Sequence, residues 1–359
     1  MRKGISSLPK PVVFRGEDLL ILDQTALPAQ ERYVSLKGAK EVARAIKMLM
    51  VRGAPWIGVV AGYGLAIEAQ RLRDKEVYSG LKRAAKMLVS ARPTAVNLSW
   101  AVNRIMMRLG QRGLTPKELR AMVRSEAEAI AKEEEKRSVA IAEYGAKLVP
   151  KNGKILTICN TGVLAGPGLG TALGVIYSAH LQGKRPFVYV CETRPLLQGA
   201  RLTCWELMRA GVDFVLMVDS AAAGVIDRCD LVLVGADRIA QNGDTANKVG
   251  TRMLALLAKD AKKPFYVVAP SSTFDPGIKN GSEIVIEERK PDEVLRCAGY
   301  RVKGRIKVFN PAFDITPAGA ISGFITEAGV VRPPFKKGIR RLFHSVVTKT
   351  LSITTGGRA

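Results

Sequence analysis

Apolar positions change their rhythm near residue 150. Before it they recur at helical spacing; after it they gather in short unbroken runs. In "GAKEVARAIKMLM", Val42, Ile46 and Leu49 fall on one helical face. Pro55 suits the first turn of a helix, and Ile57 to Leu72 reads as a closely packed helix rich in small residues. "RPTAVNLSWAVNRIMMRL" repeats this plan after Pro93, and a long charge-laced helix is expected to open on Thr115-Pro116. Within it, "KEEEKR" reads as a solvated face. Only "LLILDQTALP", an apolar run that breaks at Pro28, gives this first part a short β start.

The second rhythm consists of "KILTIC", "FVYVC", "DFVLMV", "DLVLVGA" and "PFYVVA", separated by helical stretches such as "TALGVIYSAHLQG", "ARLTCWELMRAG" and "TANKVGTRMLALLAKD". Short apolar strands alternating with helices imply βαβ units and a parallel sheet covered on both faces. The expected fold class is therefore α/β. A mostly helical part over residues 1–150 precedes a Rossmann-like parallel-sheet part over 151–335, and a basic tail occupies 336–359.

Composition narrows the function classes. The 359 residues are 47% hydrophobic and 25% charged, enough apolar material for a core without a metal or disulfide staple. No apolar run approaches the roughly 20 residues a membrane span needs, and the N-terminus lacks the apolar core of a signal peptide. Five cysteines without a C-x-x-C pair, and only two histidines, argue against zinc and against a disulfide framework. The chain reads as reduced and cytoplasmic, with no cofactor. A net charge of +24 favours anionic partners. With aromatics at only 6% and no RNA-binding signature, nucleic acid is not the expected partner. A basic end holding Arg332, Lys336, Lys337, Arg340, Arg341, Lys349 and Arg358 would bind it only as a side property.

In an open α/β sheet, ligands sit beyond the carboxyl ends of the strands. That rule selects Cys159-Asn160-Thr161, Cys191-Glu192-Thr193-Arg194, Asp219-Ser220, Gly235-Ala236-Asp237-Arg238 and Pro270-Ser271-Ser272. Cys159 and Cys191 hold similar positions, each as a reactive thiol or a small buried hydrophobe. The glycines of "GPGLGTALG" match neither a dinucleotide fingerprint nor a P-loop. They serve either a phosphate cradle at a helix N-terminus or a tight turn. Asp237, after four apolar residues, is a desolvated acid for proton transfer, or else pairs with Arg238 or caps the next segment. Asn247-Lys248 are expected to begin a helix and to hold a sugar phosphate, although Lys248 also reads as a surface lysine. Arg52 and Arg92 each precede a proline-started helix, as a phosphate grip or as surface residues.

"MVRGAPWIGVVAGYG", "ARPTAVNLSWAVNR", "CNTGVLAGPGLGTALGVI", "ETRPLLQGARLTCWEL", "GADRIAQNGDTANKVGT", "FYVVAPSSTFD", "IEER" and "NPAFDITPAGAISGFITEAGVV" together resemble the methylthioribose-1-phosphate isomerase family, which is shared with the alpha, beta and delta subunits of translation initiation factor 2B. The likeness runs from Leu22 to Pro334 in the family's order. It implies a homodimer that isomerises 5-methylthioribose 1-phosphate to 5-methylthioribulose 1-phosphate in methionine salvage, without metal or nucleotide. It implies catalysis by Cys159 and Asp237, and substrate contacts at Arg52, Gly53, Ala54, Arg92, Gln198, Asn247 and Lys248. Gln198 comes from the resemblance alone. Two departures stand out: Ile158 where the family carries histidine, and Trp56 where a small residue is usual. Trp56, beside the phosphate-grip segment, is expected to reshape the pocket. Related activities on ribose 1,5-bisphosphate or 5-deoxyribose 1-phosphate, and a non-catalytic regulatory subunit, are the competing readings.

Overall fold

A computed structural model describes residues 4–92, 95–109, 113–297 and 299–342. Its first part opens with a three-stranded antiparallel sheet of β1 (Val12–Phe14), β2 (Leu19–Leu22) and β3 (Tyr33–Leu36). Helices α1 (Ala39–Lys47), α2 (Ala54–Arg71), α3 (Val77–Ala91), α4 (Val96–Leu109) and α5 (Pro116–Ala146) follow. α2 is buried nearly all round, as a helix apolar on every side must be, and α1, α3, α4 and α5 pack against it. Pro93, expected to start the fourth helix, lies outside the described residues.

α5 begins with a capping box. Thr115 Oγ1 accepts from the Glu118 N–H at 3.3 Å, and the Glu118 carboxylate accepts from the Thr115 N–H at 2.8 Å. Its 31 residues reach roughly 46 Å, so one helix packs on α2 and later on the sheet part. The "KEEEKR" segment is only in part the solvated face expected: Lys132, Glu135 and Lys136 are exposed, but its other residues are not. Glu133 is held by both terminal nitrogens of Arg104 at 2.6 and 2.7 Å. Glu134 is 3% exposed, pairs with Arg137 and accepts from Ser272 Oγ at 3.0 Å. Burial pushes the Glu134 carboxyl up, and Arg137 draws it back. The sequence pattern missed this because the partners come from α4 and from the loop holding Ser272.

The second part contains β4 (Lys154–Thr157), α6 (Ala172–Leu181), β5 (Phe187–Cys191), α7 (Cys204–Ala210), β6 (Asp213–Met217), the short α8 (Ala222–Val225), β7 (Leu231–Val234), β8 (Arg238–Ile239), β9 (Thr245–Lys248), α9 (Thr251–Asp260) and β10 (Phe265–Val268). It ends with α10 (Asp292–Leu295), the β11–β12 hairpin (Arg296–Cys297, Tyr300–Arg301), β13 (Phe313–Thr316), β14 (Gly323–Thr326) and β15 (Gly329–Val331). The main sheet has seven strands in the order β15-β14-β10-β7-β4-β5-β6, all pairs parallel except β14–β15. Its four-residue core strands β7 and β10 are wholly buried, as continuous apolar runs predict. Coverage on both faces fails at β6, an edge strand, where Val215, Leu216 and Val218 are 41%, 45% and 54% exposed.

A small antiparallel sheet, β13-β9-β8, stands beside the main one. It overturns the expectation that Asn247-Lys248 begin a helix. Both residues lie in β9, with Asn247 opposite Asp314 and Lys248 opposite Phe313. The partner of these two residues lies more than 60 residues downstream, and locally β9 pairs only with the two-residue β8; Gly250, at φ 101°, then turns the chain into α9. At the other end, residues 335–342 are helical and place Phe335, Ile339 and Leu342 in the core with Phe324. The expected basic tail thus starts as a docked helix; Lys349, Arg358 and the rest of the tail lie outside the described residues.

Ile339→Ala is expected to cost about 2–5 kcal/mol in denaturant unfolding, the cost of truncating a buried isoleucine. A change within about 0.5 kcal/mol, typical of exposed positions, would mean this helix does not dock.

Candidate active site

Residues from distant segments converge on one cavity of about 800 Å³, measured to its open mouth. The carboxyl ends of β4 and β7 bring Cys159, Asn160 and Thr161, and Gly235, Ala236 and Asp237. β9 brings Asn247 and Lys248, the start of α2 brings Arg52, Gly53 and Ala54, and the end of α3 brings Arg92. Gln198 lines the same cavity. The strand-end rule overreached elsewhere. Asp219 instead accepts the Thr193 and Arg194 N–H groups, each at 2.7 Å, and Ser271 and Ser272 bond Glu327 and Glu134.

The two cysteines left open by sequence now part. Cys191 is 0% exposed in the core, and burial pushes its thiol well up. Cys159 is 9% exposed and lines the cavity. Its φ of 66° is the left-handed region that non-glycine residues avoid. The flanking backbone holds it there: its N–H donates to Thr193 Oγ1 at 2.8 Å, and its carbonyl accepts from Thr203 Oγ1 at 2.6 Å. The turn ends the strand and aims the residue at the cavity instead of the sheet.

Cations surround Asp237. Burial pushes its carboxyl up, whereas Arg92, Lys248 and Arg52 pull it down and Glu287 adds to the rise; burial wins. Arg238 is not its partner, since it pairs with Asp275 at 3.5 Å. Lys248 is pushed below the ordinary lysine value by burial, while Cys159 and Asp237 draw it back up. Its Nζ donates to the Ala312 carbonyl at 2.8 Å and lies 5.0 Å from the centre of the Phe313 ring. The Nε atoms of Arg52 and Arg92 and Oε1 of Gln198 are buried without a protein partner among the described residues. Buried polar atoms are almost always satisfied, so these mark places for ligand atoms.

The glycine-rich loop also resolves into one of its two readings. The Val163 and Leu164 N–H groups donate to Glu206, Leu169 N–H to Ser138 Oγ, Thr171 N–H to the Thr161 carbonyl and Leu173 N–H to Thr161 Oγ1. Amides committed to protein acceptors form no phosphate cradle; the loop is a braced turn. Gly53 shows how closely its neighbour fits. It sits at φ 85°, and a Cβ there would lie 2.1 Å from the Ala165 carbonyl oxygen. Only glycine admits that approach.

Among the cavity residues that escaped sequence reasoning are Glu287, Arg289 and Phe313. The first two lie in the quoted "IEER", but neither period nor spacing distinguished them. Glu287 bridges Arg289 at 3.0 Å and Arg92 at 3.8 Å. Among the lining residues, four cations (Arg52, Arg92, Lys248, Arg289) face two carboxylates (Asp237, Glu287). That surplus of positive charge suits a phosphate monoester, which carries about −1.5 to −2 at neutral pH.

Residues 50–333 match the profile of the Initiation factor 2 subunit family. The chain belongs to this family. A methylthioribose-1-phosphate isomerase of Natranaerobius thermophilus is 50% identical over 90% of this chain and 96% of its own. The crystal structure of 5-methylthioribose 1-phosphate isomerase from Pyrococcus horikoshii superposes with a TM-score of 0.87, at 42% identity over 96% of this chain and 99% of that one. A structure described as translation initiation factor eIF-2B, subunit delta, from A. fulgidus follows at 0.81, with 40% identity over 93% and 99%. The family resemblance read from sequence therefore holds.

Of the two departures from the family pattern, neither reaches the cavity lining. The Trp56 indole N–H donates to the Val163 carbonyl at 2.7 Å, so the ring props the braced loop from behind instead of reshaping the pocket. Ile158 is a core residue beneath the site.

A carboxyl whose native value is raised contributes stability that is complete below its unfolded value and is lost as pH rises through the native one. Asparagine at 237 cannot titrate and avoids that loss. The melting temperature of Asp237→Asn, relative to the parent protein, is therefore expected to climb between pH 4 and pH 8. A difference that stays flat, or narrows, would show that the surrounding cations outweigh burial.

Proposed function

We propose that this protein isomerises 5-methylthioribose 1-phosphate to 5-methylthioribulose 1-phosphate, the activity named for its relatives. The observation that carries the reading is the pairing of an enclosed acid, Asp237, and an enclosed thiol, Cys159, within a cation-rich cavity. A binding subunit needs the cations but has no use for a carboxyl held ready to give up a proton.

The substrate poses a specific difficulty. Its anomeric carbon carries phosphate, so simple ring opening frees no aldehyde. The ring C1–O4 bond must break with a proton delivered to O4. One hydrogen moves from C2 to C1, and the O2 proton leaves as C2 becomes a carbonyl. In this reading Asp237, kept protonated by burial, gives its proton to O4 and takes back the O2 proton, ending as it began. Cys159 polarises the C1–C2 region or serves as the second acid–base group. Arg52, Arg92 and Lys248 hold the phosphate and keep it from departing, with Asn247 and Gln198 on the sugar hydroxyls. Gly53 and Ala54 supply backbone against the ligand. The uncovered apolar edge at β6 supports a homodimer, and the free, buried Cys159, Cys191, Cys204 and Cys229 suit a reducing cytoplasm.

Turnover of three sugars decides the substrate: methylthioribose 1-phosphate, ribose 1,5-bisphosphate and 5-deoxyribose 1-phosphate. The first is expected to react fastest. Cys159→Ser and Asp237→Asn are each expected to lower kcat by about 10²–10⁴-fold while still folding cooperatively. Near-parental activity in either variant removes that residue from the mechanism. Tight binding of the sugar by the parent protein without isomerisation would favour a regulatory role.

A further inference from the structure

Glu206 is the most deeply buried acid near the cavity that the proposed chemistry leaves unused. It is 0% exposed and, among the described residues, has no cationic partner; four donors surround it. Oε1 accepts from Asn160 Nδ2 at 2.8 Å and from the Leu164 N–H at 3.2 Å. Oε2 accepts from the Val163 N–H at 2.8 Å and from the Tyr177 hydroxyl at 2.9 Å. The carboxylate lies so close beneath the loop that a Cβ on Gly162 would stand 2.1 Å from Oε2.

On the other side of Asn160 lies Arg52. Both its terminal nitrogens donate to the Asn160 carbonyl, at 3.3 and 3.0 Å, and Nη2 also donates to Asn160 Oδ1. An asparagine amide has one accepting and one donating end. If Nδ2 turned towards the guanidinium, donor would meet donor. Glu206 opposes that turn by accepting from Nδ2, which also reaches Thr203 Oγ1 at 3.3 Å. The buried carboxyl, by accepting from Nδ2, therefore fixes which end of Asn160 faces Arg52, and so fixes the guanidinium that the cavity presents to an anion.

We propose that Glu206 and Asn160 are positioning residues that aim Arg52 at the substrate phosphate through an oriented side-chain amide. The inference rests on the reading of Arg52 as an anion contact. It predicts that Glu206 and Asn160 matter to binding only through Arg52, whereas a purely structural role would be felt whether or not Arg52 is present.

The test is a double-mutant cycle read on the affinity for inorganic phosphate by calorimetry, and in parallel on KM and kcat with methylthioribose 1-phosphate. Asn160→Ala and Glu206→Gln are each expected to weaken phosphate binding by about tenfold, the worth of one hydrogen bond to a charged group. In the sugar assay the loss should fall on KM more than on kcat. In an Arg52→Ala background both effects should vanish. Tyr177→Phe, which touches Glu206 from the side away from Asn160, should lower the melting temperature but leave phosphate affinity within about twofold. Penalties that persist undiminished without Arg52, or an Asn160→Ala protein that binds phosphate normally, overturn the proposal. If Glu206→Gln fails to fold, the Asn160→Ala arm carries the same decision. A parent protein inert towards the sugar, with the phosphate cycle still coupled, would sink the substrate assignment and leave this inference standing.

Discussion

Everything at this site turns on a carboxyl group set partly buried among cations. Alone, three neighbouring positive charges would make Asp237 an unusually strong acid, ionised and useless as a proton donor at neutral pH. Burial opposes them and prevails. The balance depends on the walls that partly bury this carboxyl, and much of the architecture serves those walls. The braced loop from Asn160 to Thr171 closes one side against Gly53. β9 and β13 close another, setting Lys248 against Phe313. The long α5 ties the helical part to the sheet, and its buried Glu134 reaches Ser272 in the loop that follows Pro270, itself part of the lining.

The same logic explains why the site is built from so many segments. A phosphate monoester needs several cations, yet cations placed side by side repel and resist burial. Here each is moored differently. Arg52 is held by the neutral oxygens of Asn160, Arg92 and Arg289 share Glu287, and Lys248 donates to a backbone carbonyl. Mooring a guanidinium on neutral atoms leaves its charge uncancelled for the ligand. A direct carboxylate partner would hold it more tightly and spend that charge.

The sequence was most legible where local pattern and global fold agree. Continuous apolar runs gave the core strands, and the strand-end rule located Cys159, Asn160 and Asp237 before any geometry was available. It was least legible where the partner is remote. Asn247 and Lys248 pair with β13, far along the chain, and the only local sign of their strand is the short β8 across the Asn242-Gly243 turn. The acidic run at Glu133 and Glu134 resembles any solvated helix face until Arg104 and Ser272 arrive from elsewhere. Glu287 and Arg289 carry no periodic signature at all, since their role comes from where the chain returns. The glycine-rich loop misled in a subtler way. Its composition suited an anion cradle, and only the destinations of its amides revealed a turn braced by Glu206.

The most direct measurement is a titration of the Asp237 carboxyl itself, by carbon NMR or difference infrared spectroscopy on aspartate-labelled protein, with Asp237→Asn identifying the signal. The account predicts a midpoint above that of an ordinary aspartate. A midpoint at or below the ordinary value would mean that the cations prevail over burial, and the proton donor on which the chemistry rests would not exist.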